Sequence, residues 1–125
     1  MKKYKVKKDI FKGNIVHLRL EEHTLPGGKK GVFEVIHHRK AAAVIPFLDA
    51  KTILLIRQYR PATGKYFLEI PAGLIDPGET PLQCVKRELE EETGYKASRF
   101  QKLLAFYVTI GCSDERITIY KATNL

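Results

Sequence analysis

A chain of 125 residues suits one domain, and its 44% apolar residues supply a single core with little to spare. No run approaches the roughly 20 apolar residues of a membrane-crossing helix, and the basic start MKKYKVKKDI lacks the apolar stretch of a secretory signal. The net charge of +8 is concentrated early, where residues 1–50 hold 11 basic against 5 acidic side chains. Such a balance suits a solvated lysine-rich surface or the steering of a phosphate-bearing substrate. Nucleic-acid binding would call for a basic cluster interleaved with stacking aromatics, and that pattern is missing. Cys84 and Cys112 are too few for a disulfide framework. The chain therefore reads as cytoplasmic and reduced, with both cysteines as unreactive packing residues.

Residues 3–8, 14–21 and 31–38 are rich in Val, Ile, Leu, Tyr and Phe with partial alternation, which predicts three strands. Pro26-Gly27-Gly28 marks the turn between the second and third. Ala41 to Phe47 and Thr52 to Ile56 are near-continuous apolar runs suited to central strands, and the short spacer Leu48-Asp49-Ala50-Lys51 predicts a hairpin between them. A strand from Tyr66 to Ile70 leads into Pro71-Ala72-Gly73.

Thr80 to Thr93 then changes period. Thr80 can cap a helix with Pro81 at its first position, Leu82, Val85 and Leu89 form one apolar stripe, and Gly94 is a C-terminal stop. Phe100 to Thr109 and Arg116 to Ala122 read as strands around a Gly111–Glu115 loop. Strands, one helix and more strands predict an α+β arrangement with the helix packed on a mixed sheet. The expected organisation is a single domain over 1–125, with N-terminal strands in 1–40 as a possible dimerisation region and a core in 41–125. Leu125 follows directly on a strand, which carries the expectation that another chain or a further helix closes the core.

Three carboxylates dominate the helix. Glu88, Glu91 and Glu92 stand at i, i+3 and i+4, so they project from one face. Like charges at that spacing repel by a few tenths of a kcal/mol per pair, on the order of 0.2–0.5. A hard divalent cation such as Mg²⁺ or Mn²⁺ would offset the repulsion. So would a solvated face balanced by Lys86 and Arg87, which is the commoner origin of such patterns. Arg87, flanked by Glu88, Glu90 and Glu91, could brace one carboxylate while others bind metal. The preceding Gly73, Asp76, Pro77, Gly78 and Glu79 can fold the chain back toward the helix.

Gly73, Glu79, Arg87-Glu88-Leu89, Glu91-Glu92, Gly94 and Tyr95 stand at the spacing of the Nudix box, which the segment resembles throughout. Seven fixed identities at fixed spacing would recur by chance in on the order of one window in a billion, so the motif is specific. Tyr95 stands where an aliphatic residue is more usual. The resemblance implies the Nudix fold, a mixed β-sheet sandwich with the box as loop–helix–loop, preceded here by an N-terminal antiparallel region. It implies Mg²⁺ or Mn²⁺ held by Glu88 and Glu92 with Glu91 and the Ala72 carbonyl, and Arg87 and Glu79 in support. The general base of many members lies in a later loop and is assigned to no residue here.

The flanks resemble the ADP-ribose pyrophosphatase branch from about Val44 to Ile119, through Leu54–Pro61 and Leu68–Leu74. That resemblance implies that Arg60 contacts the diphosphate and that Glu69 sits beside the metal cluster and substrate, with Arg57 as a second contact or an ordinary strand-end arginine. Phe67 and Glu69 would share a strand face. Residues 31–39 resemble the segment that reaches a partner subunit, so that Phe33 stacks on adenine and Glu34 accepts from its amino group in a homodimer with shared sites. Phe33 as a plain core residue is the alternative. Thr109–Glu115 matches a loop of this branch in part, with Ile110 in place of proline. The four histidines lack zinc-type spacing.

The expected activity is Mg²⁺-dependent hydrolysis of ADP-ribose to AMP and ribose 5-phosphate. The alternatives are a broader pyrophosphatase acting on NADH, dinucleoside polyphosphates or nucleoside triphosphates, and a Nudix module that binds nucleotide or RNA without cleaving it.

Overall fold

The structure is a computed structural model that describes residues 3–125. Two compact units divide the chain, one formed by the residues up to Arg39 with Tyr107–Arg116, the other by Lys40–Phe106 with Ile117–Leu125.

The first unit is built on a three-stranded antiparallel sheet in the order β1 (Tyr4–Lys12), β2 (Val16–Thr24), β3 (Lys30–His38). Gly27 and Gly28 adopt φ of 92° and 89°, the left-handed backbone that the β2–β3 turn requires and that costs glycine little. Glu21 is 1% exposed and accepts from two histidines, His23 Nε2 at 2.7 Å and His37 Nε2 at 2.5 Å. His37 Nδ1 meets Asp114 Oδ2 at 2.8 Å, while the His38 amide donates to Asp114 Oδ1 at 2.8 Å. An imidazole between two carboxylates can satisfy both only when both ring nitrogens carry protons, so His37 is charged here. Burial opposes that charge, but the hydrogen bonds that His37 donates to Glu21 and Asp114 outweigh it and raise the His37 pKa above the ordinary histidine value. Burial also opposes the Glu21 charge, and the two histidines lower its pKa nonetheless.

The second unit contains a four-stranded mixed sheet in the order β7 (Ala72–Leu74), β4 (Ala41–Pro46), β9 (Arg116–Thr123), β8 (Arg99–Tyr107). β4 runs parallel to β9 and antiparallel to β7. The helix α1 (Pro81–Thr93) packs on β4 and β7 through Cys84, Val85 and Leu89, which form the core with Ala42, Val44 and Ala122. Full burial of Leu89 contributes about 2 kcal/mol by transfer alone. The helix begins as its sequence demands. Thr80 Oγ1 accepts from the Gln83 amide at 3.1 Å, and Gln83 Oε1 accepts from the Thr80 amide at 2.9 Å. It ends at Gly94, whose φ of 77° lets its N–H return to the Glu90 carbonyl.

The expected α+β fold, one helix on a mixed sheet, is what the structure has. One strand differs. Thr52–Ile56 does not run on as a strand along β4. It meets the end of β4 in a short hairpin turn, with an antiparallel bridge between Phe47 and Ile53 and bonds from the Leu48 amide to the Thr52 carbonyl and from the Leu54 amide to the Pro46 carbonyl, both at 2.9 Å. The strand starts at Ile56 instead, as β5 (Ile56–Arg60), and pairs antiparallel with β6 (Lys65–Glu69). Short β7 was not anticipated either, since Ala-Gly-Leu carries little strand propensity.

Thr80→Ala removes the capping bond and should lower the unfolding free energy by about 1 kcal/mol in chemical denaturation. His37→Gln should cost about 2 kcal/mol near pH 6. Because the folded-state His37 pKa is raised, its stabilisation is complete below the ordinary histidine value and lost as pH rises through the raised one. The gap between wild type and variant should therefore narrow on the alkaline side.

Candidate active site

Short β7 decides where the carboxylates meet the loop. It holds Gly73 against Glu88 so closely that a Cβ on residue 73 would lie 2.0 Å from Glu88 Oε1 and 2.7 Å from its Cγ. Only glycine leaves that space to a carboxylate. Arg87 braces the arrangement from beneath. Its Nε and Nη2 donate to the two Glu79 oxygens at 2.8 and 2.9 Å, Nη1 to Glu88 Oε1 at 2.7 Å, and Nη2 to the Leu74 carbonyl at 3.2 Å. Glu91, 58% exposed, touches the same guanidinium at 3.4 Å. The bidentate bond from Arg87 holds Glu79 at a pKa of about 2, and the two acids raise that of Arg87.

Glu92 is in a different position. Its Oε2 is buried with no hydrogen-bond partner among the described residues. Burial and, next, the Glu88 carboxylate push its pKa up to about 7, against the Ala72 amide and the charge of Arg60. Two acids one helical turn apart cannot both ionise comfortably at this depth. An orphaned carboxylate oxygen beside Glu88, in a cradle kept open by Gly73, fits a hard divalent cation with oxygen ligands. Among the described residues no three His, Cys, Asp or Glu side chains are gathered closely enough to hold a metal ion. As a pair, Glu88 and Glu92 would hold such a cation with positions left open for water and substrate, as Mg²⁺ tolerates.

The two arginines of the Arg57-Gln58-Tyr59-Arg60 strand part company. Arg60 forms a two-bond ion pair with Glu69 on one face of the β5–β6 hairpin, and its charge is felt by Glu92. Arg57 lies on the other face, 4.0 Å over the Tyr66 ring. Arg57 also borders a groove of about 360 Å³ that includes Glu92, Leu54, Leu55 and Tyr95. Glu69 accepts two bonds from Arg60, which lower its pKa against burial, and the charge of Arg60 acts in turn on Glu92.

Phe33 and Glu34 belong to the other unit. Phe33 is 42% exposed, stacked edge-on to His23 at 5.9 Å, so it is not a core residue. Both line an open groove of about 290 Å³ with Val35, Ile110 and Cys112. Cys112 is exposed, which corrects its reading as a packing residue, whereas Cys84 is buried and its thiol is pushed up to about 12 by burial. Asp114, which anchors this loop through His37 and the His38 amide, was not singled out in the sequence. Its partners lie 76 and 77 residues away, so no local signal marks it.

With this geometry in hand, comparison with known proteins is decisive about kinship: the NUDIX domain matches residues 37–121. The chain belongs to the Nudix family. It is 39% identical over 119 residues to an ADP-ribose pyrophosphatase of Bacillus subtilis (strain 168), covering 95% of this chain and 64% of that protein. It is 40% identical over 117 residues to an ADP-ribose pyrophosphatase of Mycobacterium tuberculosis, covering 93% and 56%. A crystal structure of an ADP compounds hydrolase superposes with a TM-score of 0.81 at 26% identity, covering 96% of this chain and 66% of that one. The chain thus spans less than two thirds of the length of these relatives.

Gly73→Ala should leave the fold intact, since the clash falls on the mobile end of a side chain, yet displace Glu88. Calorimetric titration with Mn²⁺ should show affinity reduced at least about tenfold, with little change in melting temperature.

Proposed function

We propose that this Nudix domain hydrolyses ADP-ribose to AMP and ribose 5-phosphate with Mg²⁺, or Mn²⁺, as its metal. The observation that carries the proposal is the Glu88–Glu92 pair, with Glu88 seated in the space that Gly73 leaves and Glu92 Oε2 buried without a partner among the described residues. A divalent cation held there would neutralise diphosphate charge and acidify a bound water.

The chain's own residues do the rest. Arg87 fixes the rotamer of Glu88 and ties Glu79 to the helix, so the carboxylates are presented without reorganisation. Arg60 offers a guanidinium to the diphosphate oxygens, where anionic charge is greatest. Arg57, stacked over the Tyr66 ring, borders the groove that includes Glu92 and is a second candidate contact. Glu91, with the Ala72 carbonyl, is a candidate to complete the ligand set. Phe33 supplies an exposed ring for adenine and Glu34 a carboxylate for its amino group, in a homodimer whose subunits share sites. The excess of basic residues would draw in the anionic substrate.

Support for the ADP-ribose assignment comes from the similarity to the two ADP-ribose pyrophosphatases. A broader activity on ADP-linked compounds is the second reading, favoured by the likeness to an ADP compounds hydrolase and by Ile110, 82% exposed at an open groove.

The test is AMP release from ADP-ribose, NADH and a dinucleoside polyphosphate with Mg²⁺. The expected result is highest kcat/KM on ADP-ribose, abolition by EDTA, and a loss of roughly a hundredfold or more in kcat for Glu92→Gln. Turnover of another substrate with ADP-ribose untouched refutes the assignment. No turnover, with nucleotide binding unchanged in Glu92→Gln, supports a binding module instead.

A further inference from the structure

We infer that Glu69 is a positioning residue, which acts on the diphosphate through Arg60 and is neither a metal ligand nor a substrate contact. This deepens the reading of the site as diphosphate-cleaving and rests on it.

The ladder register supplies the first argument. Arg60 pairs with Lys65 and Ile56 with Glu69, so Arg60 and Glu69 begin four positions apart along the hairpin. At about 3.3 Å per residue that is roughly 13 Å, too far for side chains standing straight out of the sheet. They meet because residues 56, 58 and 60 share a face with 65, 67 and 69, and because the arginine folds back along the strand. Its Nε donates to Glu69 Oε2 at 2.8 Å and its Nη2 donates to Oε1. Two parallel bonds fix the plane of a guanidinium as well as its place.

The direction of that fold is the second argument. Arg60 adjoins the turn of residues 61–64, where its amply exposed side chain would otherwise sample solvent at considerable entropy. The pair draws the charge from the hairpin tip toward Glu69, three residues before Ala72, whose amide meets Glu92. The fields of Arg60 and Glu92 act on each other, whereas those acting on Glu69 are Arg60 and burial. Both Glu69 oxygens are taken by Arg60. Nη1 of Arg60 has no hydrogen bond among the described residues and is the nitrogen left for a phosphate oxygen. Arg57 stands over Tyr66 on the other face of the hairpin and makes no bond to Glu69 among the described residues.

The experiment compares wild type, Glu69→Gln, Glu69→Asp, Arg60→Ala and the double variant Arg60→Ala/Glu69→Gln. Three readouts are taken: ADP-ribose kinetics with Mg²⁺, calorimetric affinity for Mg²⁺ and for inorganic pyrophosphate, and the Arg60 Nε–H resonance by NMR. Glu69→Gln should raise KM and the pyrophosphate Kd about tenfold with kcat nearly unchanged. It should also move the Arg60 resonance and leave Mg²⁺ affinity alone. The double variant should be no worse than Arg60→Ala, and Glu69→Asp should recover part of the loss. Multiplicative losses in the double variant, or weakened Mg²⁺ binding with an unmoved Arg60 resonance, would overturn the inference. If wild type leaves ADP-ribose uncleaved, the substrate reading fails by itself. The resonance then still decides the role of Glu69, which falls if Glu69→Gln leaves it unmoved.

Discussion

Three glutamates share one face of α1, and the guanidinium of Arg87 is what allows it. Each like-charged pair at helical spacing costs a few tenths of a kcal/mol, about 0.2–0.5. Arg87 answers with a fork that reaches Glu79, Glu88, Glu91 and a backbone carbonyl together. A lysine would bring the charge without the fork. By holding Glu79, Arg87 also ties the loop before the helix to the helix itself, and so keeps β7 and Gly73 beside Glu88. Glu92 lies outside this network, and burial together with the neighbouring Glu88 opposes its charge.

Much of this was legible because it is local. The cap at Thr80, the stop at Gly94 and the stripe of Leu82, Val85 and Leu89 are each set within a few residues, and the box fixes Gly73, Glu79, Arg87 and the acids relative to one another. The segment Thr52–Ile56 reads as a central strand from its apolar run, yet Ile53 and Leu55 are exposed and only its start meets β4. Likewise, Arg57 and Arg60 look alike in sequence, and the β5–β6 register puts them on opposite faces.

What the sequence hid is nonlocal and polar. Glu21, His37 and Asp114 come from β2, β3 and a loop, yet they form one half-buried chain of hydrogen bonds. Nothing near any of them in the sequence demands the others. The same loop carries the exposed Cys112 and Ile110 beside Phe33, and its backbone pairs with Ile36 at Cys112 and Asp114.

The parallel pairing of β4 with β9 has a consequence for how the protein is made. Ala43 and Ile119 are register partners although 75 residues separate them. On a ribosome, β4 emerges early and must wait, with Val44 uncovered, until nearly all of the acidic helix and the β5–β6 hairpin have been synthesised. The segment that waits is Ala-Ala-Ala-Val-Ile-Pro, small side chains closed by a residue that cannot donate to a ladder. Such a strand offers little grip to a passing edge. The composition that makes β4 a tight fit in the finished core also makes it a poor template for aggregation while its partner is still unborn.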